Sequence, residues 1–188
     1  MKGVGILFSL ITVLILSSCG GSHGVMGTAQ DKALVDSLIA SREFQITNQW
    51  ALPTMSSSMM KLSSSGILGP GNSGQRIDLS ASGNYLKIIG DSVKASLPYF
   101  GERQMGGGYN SDGEGIHFDQ KLENISYNYN DAKNLHIVKF RASNGAESFD
   151  LTLNVFSNKK SSLLVSSSQR DMIRYEGTIK ALPKKDNP

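Results

Sequence analysis

From Arg76 onward the apolar residues of this chain recur at every second position in short runs, and this alternation restricts the fold more than any other feature. Such a run buries one face of a β-strand and leaves the other in water. Ile77 and Leu79 precede a turn at Ser82-Gly83-Asn84, Leu86 and Ile88 precede Gly90-Asp91, and Val93, Ala95 and Leu97 lead into Pro98, predicting three hairpin-linked strands. Ile116 and Phe118 resume the pattern. Ile125, Tyr127 and Tyr129 then alternate up to a turn around Asn130 to Lys133. Leu135 to Ala142 and Glu147 to Phe156 flank Asn144-Gly145, read as a type I′ hairpin with positive φ at both central residues, and Phe149, Leu151, Leu153 and Val155 share one face. Two more strands follow the turn at Ser157 to Lys160, the last holding Ile173, Tyr175 and Ile179. With Phe44 to Leu52, ended by Pro53, the count is about nine strands. The expected fold is mainly β, an antiparallel meander forming a barrel-like or two-layer sheet structure. The barrel-like form is favoured because sequential hairpins need no long crossings.

Ahead of these strands lies one N-terminal amphipathic helix. Thr28 stands as its N-cap with Asp31 in the first turn, and Leu34, Val35, Leu38 and Ile39 recur at helical spacing through about Ser41. Its apolar stripe is expected to cover a sheet face or plug one end. From Thr54 to Gly74 the chain is rich in Ser, Gly and Met. A structureless stretch of that length is improbable in a compact domain, so Met59 to Leu62 should pack on the core or form a short strand.

At the N-terminus, Lys2, the apolar run Val4 to Leu16 and Ser17-Ser18-Cys19 read as a signal peptide whose apolar core is shorter than the ~20 residues of a spanning helix. Leu16-Ser17-Ser18-Cys19 resembles the lipobox of bacterial lipoproteins, and Cys19 is the single cysteine of the chain. The expected division is a signal peptide (1–18), a lipidated flexible tether (19–27), one β-rich domain (28–182) and a frayed tail (183–188). Acyl chains on Cys19 would hold the protein to a membrane, since each buried CH₂ contributes roughly 0.8 kcal/mol. No acidic residue follows Cys19 in the tether; by analogy with lipoprotein sorting signals, this points to the outer membrane and its periplasmic face.

The formal charge of +3 is scattered without the basic stripe that nucleic acid requires, so nucleic-acid binding is not expected. The glycine-dense stretch from Gly101 to Gly115 follows an aromatic corner, Leu97-Pro98-Tyr99-Phe100-Gly101, where Pro98 must end a strand or take an edge. Long loops of this kind are either functional or disordered, and on the functional reading Tyr99, Phe100, Tyr109 and His117 are the candidate contacts to a ligand or partner. β alternation predicts Phe100 inward and Tyr99 outward, with the phenol on water or a loop carbonyl. Asn110, Asp112, Glu114 and Gly115 imitate the opening of a calcium loop, but Lys121 stands where a bidentate carboxylate is needed; Asp112, Glu114 and His117 are a weaker zinc set, and no metal or other cofactor is expected. A hydrolase needs a nucleophile, a base and an orienting acid, and no Gly-x-Ser-x-Gly elbow occurs. The reading is therefore a non-enzymatic, lipid-anchored binding or interaction module meeting a protein partner, or an apolar small molecule if the barrel is hollow. The alternatives are a purely structural envelope lipoprotein and, third, a hydrolase using His117.

Four features together carry a family resemblance: the lipobox, the helix followed by Phe44-Gln45-Ile46, the Leu97 to Gly101 corner with its glycine-rich continuation, and Ile173-Arg174-Tyr175-Glu176-Gly177-Thr178-Ile179. On these the chain resembles an uncharacterised lipoprotein domain family of the Bacteroidetes. The resemblance implies a cell-envelope location and one β-rich domain, and assigns no catalytic residue.

Overall fold

The computed structural model describes residues 27–104, 115–122 and 124–183. Helix α1 (Ala29–Ser41) opens on a capping box, in which Thr28 Oγ1 accepts from the Asp31 amide at 3.1 Å and Asp31 Oδ2 accepts from the Thr28 amide at 3.4 Å. It ends at Arg42, whose left-handed φ of 55° turns the chain directly into strand β1 (Glu43–Pro53). Along β1 the buried positions are Phe44, Ile46 and Asn48, and after a register slip between Asn48 and Trp50 they become Ala51 and Pro53. The extra residue of this bulge, Gln49, inverts the face that each later side chain takes.

The stretch after Pro53 meets expectation in part. Met59 packs on the core, and Met59 to Leu62 form no strand but belong to a second helix, α2 (Ser57–Ser64), so the described residues hold two helices rather than one. Ser56 Oγ caps it by accepting from the Met59 amide at 3.2 Å, and Met, Lys and Leu, none of them β-branched, propagate it. Met59 alone of its residues is buried. The predicted strand at Ile77 and Leu79 shrinks to β2 (Ile77–Asp78), which pairs with β1 instead of its sequence neighbour. Local side-chain bonds compete there with a longer ladder: Asn72 Oδ1 takes the Asp78 amide at 2.7 Å, and Asp78 Oδ1 takes the Ser80 amide at 2.8 Å.

The remaining strands are β3 (Tyr85–Ile89), β4 (Ser92–Leu97), β5 (Ile116–Lys121), β6 (Ile125–Asn130), β7 (Leu135–Asn144), β8 (Glu147–Phe156), β9 (Lys160–Ser167) and β10 (Ile173–Ala181). All pairings are antiparallel. The main path runs β5-β4-β3-β1-β10-β9-β8-β7-β6, with β2 beside β1. β1 meets β10 over nearly its whole length, from Phe44 opposite Ala181 to Pro53 opposite Ile173, and so joins two hairpin series into one sheet. The sheet curls until its two arms meet, with the Ser143 amide of β7 donating to Gln120 Oε1 of β5 at 3.2 Å and the Phe118 and Phe149 rings 6.0 Å apart. The result is a half-barrel.

Its interior is filled. Phe44, Phe149 and Tyr175 are at most 1% exposed and belong to one continuous core with Ile46, Leu86 and Leu153. α1 lays Val35, Leu38 and Ile39 on that core against β1, β8 and β10, closing one end. Gly27 marks the same end, where its Cα lies so close to Ser157 and Asn158 of the β8–β9 turn that a Cβ would stand 2.2 Å from the Ser157 carbonyl oxygen. Pro98, Gly145 and Ser168 lie at the other end, about 30 Å away along the ten residues of β8 at ~3.3 Å each.

The β7–β8 hairpin turns one residue later than expected and is of a different type. Asn144 pairs with Glu147, so the two loop residues are Gly145 and Ala146, and of these only Gly145 has positive φ, at 57°. Glycine at the first central position is the type II′ pattern. The space beside Gly145 is open, leaving backbone strain as the cost of a side chain. Gly145→Val should therefore lower stability by about 1–2 kcal/mol. An unchanged urea midpoint would contradict the turn assignment.

Candidate functional site

The end opposite α1 is built on a carboxylate whose placement follows from strand parity. Glu147 shares the inward face of β8 with Phe149, Leu151, Leu153 and Val155, and a charge on that face needs an internal partner. Arg170, just beyond β9, supplies it. Arg170 Nε lies 2.9 Å from Glu147 Oε1 and Nη2 lies 3.1 Å from Oε2, with the two side chains 8% and 6% exposed. The Ser167 hydroxyl donates to Oε1, and Arg103 Nη2 stands 3.5 Å from Oε2. Two-point contact to a planar guanidinium is the geometry by which a buried carboxylate keeps its charge.

This pair holds the aromatic corner. Beyond Leu97 the chain crosses residues 169–171 as a short antiparallel contact: the Gln104 amide donates to the Gln169 carbonyl at 2.7 Å and the Asp171 amide to the Glu102 carbonyl at 3.1 Å. Arg170 Nη1 donates to the Gly115 carbonyl at 3.1 Å. The two feet of segment 105–114, Gln104 and Gly115, are thus tied to the same three residues.

Two of the four features that carried the family resemblance, the Leu97 to Gly101 corner and the Ile173 to Ile179 stretch, meet here. The hydroxyl of Tyr175, a wholly buried residue, donates to the Pro98 carbonyl at 2.8 Å. Burial pushes this phenol far above its ordinary pKa. The Tyr99 hydroxyl lies 3.0 Å from both the Glu102 and Asp171 carbonyls, with Arg170 Cζ 5.1 Å from its ring centroid. Burial first, then the Asp171 charge, push the Tyr99 phenol up to about 12. Both phenols stay protonated at neutral pH and both donate to carbonyls, so neither is poised as a base.

Tyr99 and Phe100 are both half-buried and both pack against the core. Residues 98–100 lie outside β4, so strand alternation does not assign them to opposite faces. His117 is exposed on β5 opposite Ser96, with its ring against Gly115, where a Cβ would fall 2.6 Å from Nε2. The structure brings Tyr99 together with Arg170 and Glu147, whereas His117 has no hydrogen-bond partner for its ring among the described residues. Cys19, Tyr109, Asn110, Asp112 and Glu114 lie outside the described residues. Among the described residues no three His, Cys, Asp or Glu side chains group as a metal site.

The Glu147–Arg170 pair had a visible signal in the sequence: a carboxylate at the head of the apolar face of β8. A second cluster had none. His136 of β7 places Nε2 2.7 Å from Asp36 Oδ1 of α1, its ring centroid 4.7 Å from that of Tyr129. Lys32 foremost, and then His136, hold the Asp36 carboxyl below its usual range. This cluster joins the helix to the β6–β7 hairpin across 100 residues of sequence.

The fold is similar to that of a solved structure, a DUF4251 family protein from Bacteroides eggerthii DSM 20697, with a TM-score of 0.56 at 9% identity, covering 82% of this chain and 89% of the other. No curated protein matches this chain. Residues 27–179, from the glycine packed on the β8–β9 turn to the last buried residue of β10, match the domain of unknown function DUF4251, and the chain belongs to that family.

Proposed function

We propose that this protein is a lipid-anchored, non-enzymatic interaction module of the cell envelope, held by Cys19 at the outer membrane on its periplasmic side. It meets a protein partner with the end formed by Tyr99, Phe100 and His117, at the feet of segment 105–114. One observation carries the reading: Gly27, where the tether joins the domain, and the Tyr99 corner lie at opposite ends of the half-barrel. A tether whose reach is on the order of 15 Å would keep the α1 end near lipid and turn the corner outward. The filled interior favours recognition at the surface over an apolar small molecule held inside. Among the described residues no helix is long and apolar enough to cross a membrane, which leaves the acyl chains on Cys19 as the proposed attachment.

The filled interior and the engaged Tyr99 hydroxyl also favour a second reading, a structural lipoprotein without a ligand. Cys19→Ser should move the protein from the membrane fraction to the soluble fraction. Retention after a high-salt wash would refute the anchor. In the anchored protein, a photo-crosslinking residue at position 109 should give one discrete adduct, and the same residue at 158 none; no adduct at 109 would favour the structural reading.

A further inference from the structure

Along the chain the lysines are scattered, but strand pairing gathers several of them on the outer face of the sheet. Lys94 of β4 stands opposite Lys87 of β3, Lys87 opposite Gln45 of β1, and Gln45 opposite Lys180 of β10, so three lysines and one amide make a single row across four strands. Each alternates with buried neighbours, which fixes the row on the outside. In the next outward row toward α1, Lys121 of β5 and Ile89 of β3 stand on either side of Ser92 of β4, with Glu43 of β1 beyond Ile89. Asp119 of β5 extends the first row and holds Lys94 Nζ at 2.7 Å, while Lys87 Nζ lies 4.6 Å from the Tyr85 ring centroid. Lys87, Lys121 and Lys180 are in no ion pair among the described residues. Asp119 and Glu43 are the carboxylates of the two rows, so amines are in excess, and the directly opposed Lys87 and Lys94 repel each other.

An independent observation concerns Ile89. It follows Ile88 of the core, shares the outer face with Lys87, and is 50% exposed. An exposed isoleucine rimmed by lysines is the combination that holds peripheral proteins on lipid, with amines on the phosphates and the apolar side chain at the boundary between headgroups and acyl chains. The location agrees. Gln45 is the third residue of β1 and Arg42 closes α1, so both rows lie within about 10 Å of the end of the sheet that carries the helix and Gly27.

We propose that this lysine face docks on the anionic phosphates of the lipid surface, so that the domain leans on its β3–β4 side instead of swinging freely on its tether. The inference rests on the anchor at Cys19, because the tether supplies the proximity. Charge complementarity selects the occupant: an extended anionic surface meets Lys87, Lys121 and Lys180 at once, and lipid alone gives the exposed isoleucine a place to go. Docking on this face leaves the Tyr99 corner, at the other end of the strands, open to its partner.

The acylated protein is reconstituted into vesicles of phosphatidylcholine, alone or with about one-third phosphatidylglycerol, and its lysines are modified with an amine-reactive reagent and mapped by mass spectrometry. Flotation with both kinds of vesicle reports the anchor separately from the docking. In the anionic vesicles the modification of Lys87, Lys121 and Lys180 should fall about five-fold relative to the neutral ones, while Lys61 of α2 is unchanged. High salt should restore the reactivity without releasing the protein from the vesicles. In a Lys87→Gln, Lys180→Gln double variant, shown to be folded by its thermal melt, Lys121 should be equally reactive in the two kinds of vesicle. Flotation with equal reactivity of the three lysines in both vesicles overturns the docking and leaves the anchor standing. Absence of flotation overturns the anchor, and the docking with it. Equal protection by inorganic phosphate without vesicles would make the face a site for soluble anions and overturn the proposal, as would protection of Lys121 that persists in the double variant.

Discussion

Arg170→Ala is expected to lower stability by about 3–5 kcal/mol, the range for breaking one half of a buried ion pair. The loss comes less from the missing contacts than from the partner left behind. Among the described residues, the Glu147 carboxylate, 6% exposed, would retain the Ser167 hydroxyl and an Arg103 nitrogen at 3.5 Å. Arg170 also holds the Gly115 carbonyl and lies over Tyr99, so its removal loosens both feet of segment 105–114. A urea melt at neutral pH measures the stability, and amide exchange at Gln104, which donates to the Gln169 carbonyl, measures the loosening. The double variant Glu147→Leu with Arg170→Met should recover most of the loss, because matched apolar replacements need no desolvated charge. A small effect of Arg170→Ala, or a double variant as unstable as the sum of the singles, would mean that the pair does not support the corner.

Gly177→Ala should cost about 3 kcal/mol or more, at the upper end of overpacking. A Cβ at this position would sit 2.2 Å from the Thr47 carbonyl oxygen and 2.7 Å from the Asn48 Cα. Both are backbone atoms of β1, so no side-chain rotation relieves the clash, and β1 must move away from β10 beside the bulge at Gln49. That is the junction at which the two hairpin series become one sheet. Glu176→Ala, one residue earlier on the outer face, should change the thermal midpoint little. Equal midpoints for Gly177→Ala and the parent would show that the strands separate without penalty and that the close approach is incidental.

Only part of the candidate site was legible in the sequence. The alternation that put Phe149, Leu151, Leu153 and Val155 on one face of β8 extends back to Glu147, a signal that the sequence reading left unused and that does not say which arginine pairs with the carboxylate. Arg170 lies 23 residues away in the turn before β10, and Arg103 44 residues away past the corner. Tyr99 and Phe100 followed a strand that Pro98 ends, so the two-residue period no longer held where it was applied. The Tyr175 hydroxyl on the Pro98 carbonyl joins two of the segments on which the family resemblance was read, a contact that neither segment announces by itself.

What the sequence by itself determined about this protein is local: strands from alternation, α1 from its cap and helical spacing, and turns from glycine. These properties depend on a residue and its near neighbours, because the side-chain period and the φ preference act within a few positions. Only the tertiary structure decided that β1 pairs with β10, that Gln49 bulges and reverses the face of Trp50, that α2 is a helix, and that the sheet curls until β5 approaches β7. Alternation marks a face as buried without naming what covers it, and pairing the first strand with the last is chosen by the free energy of the whole core rather than by any one stretch of chain.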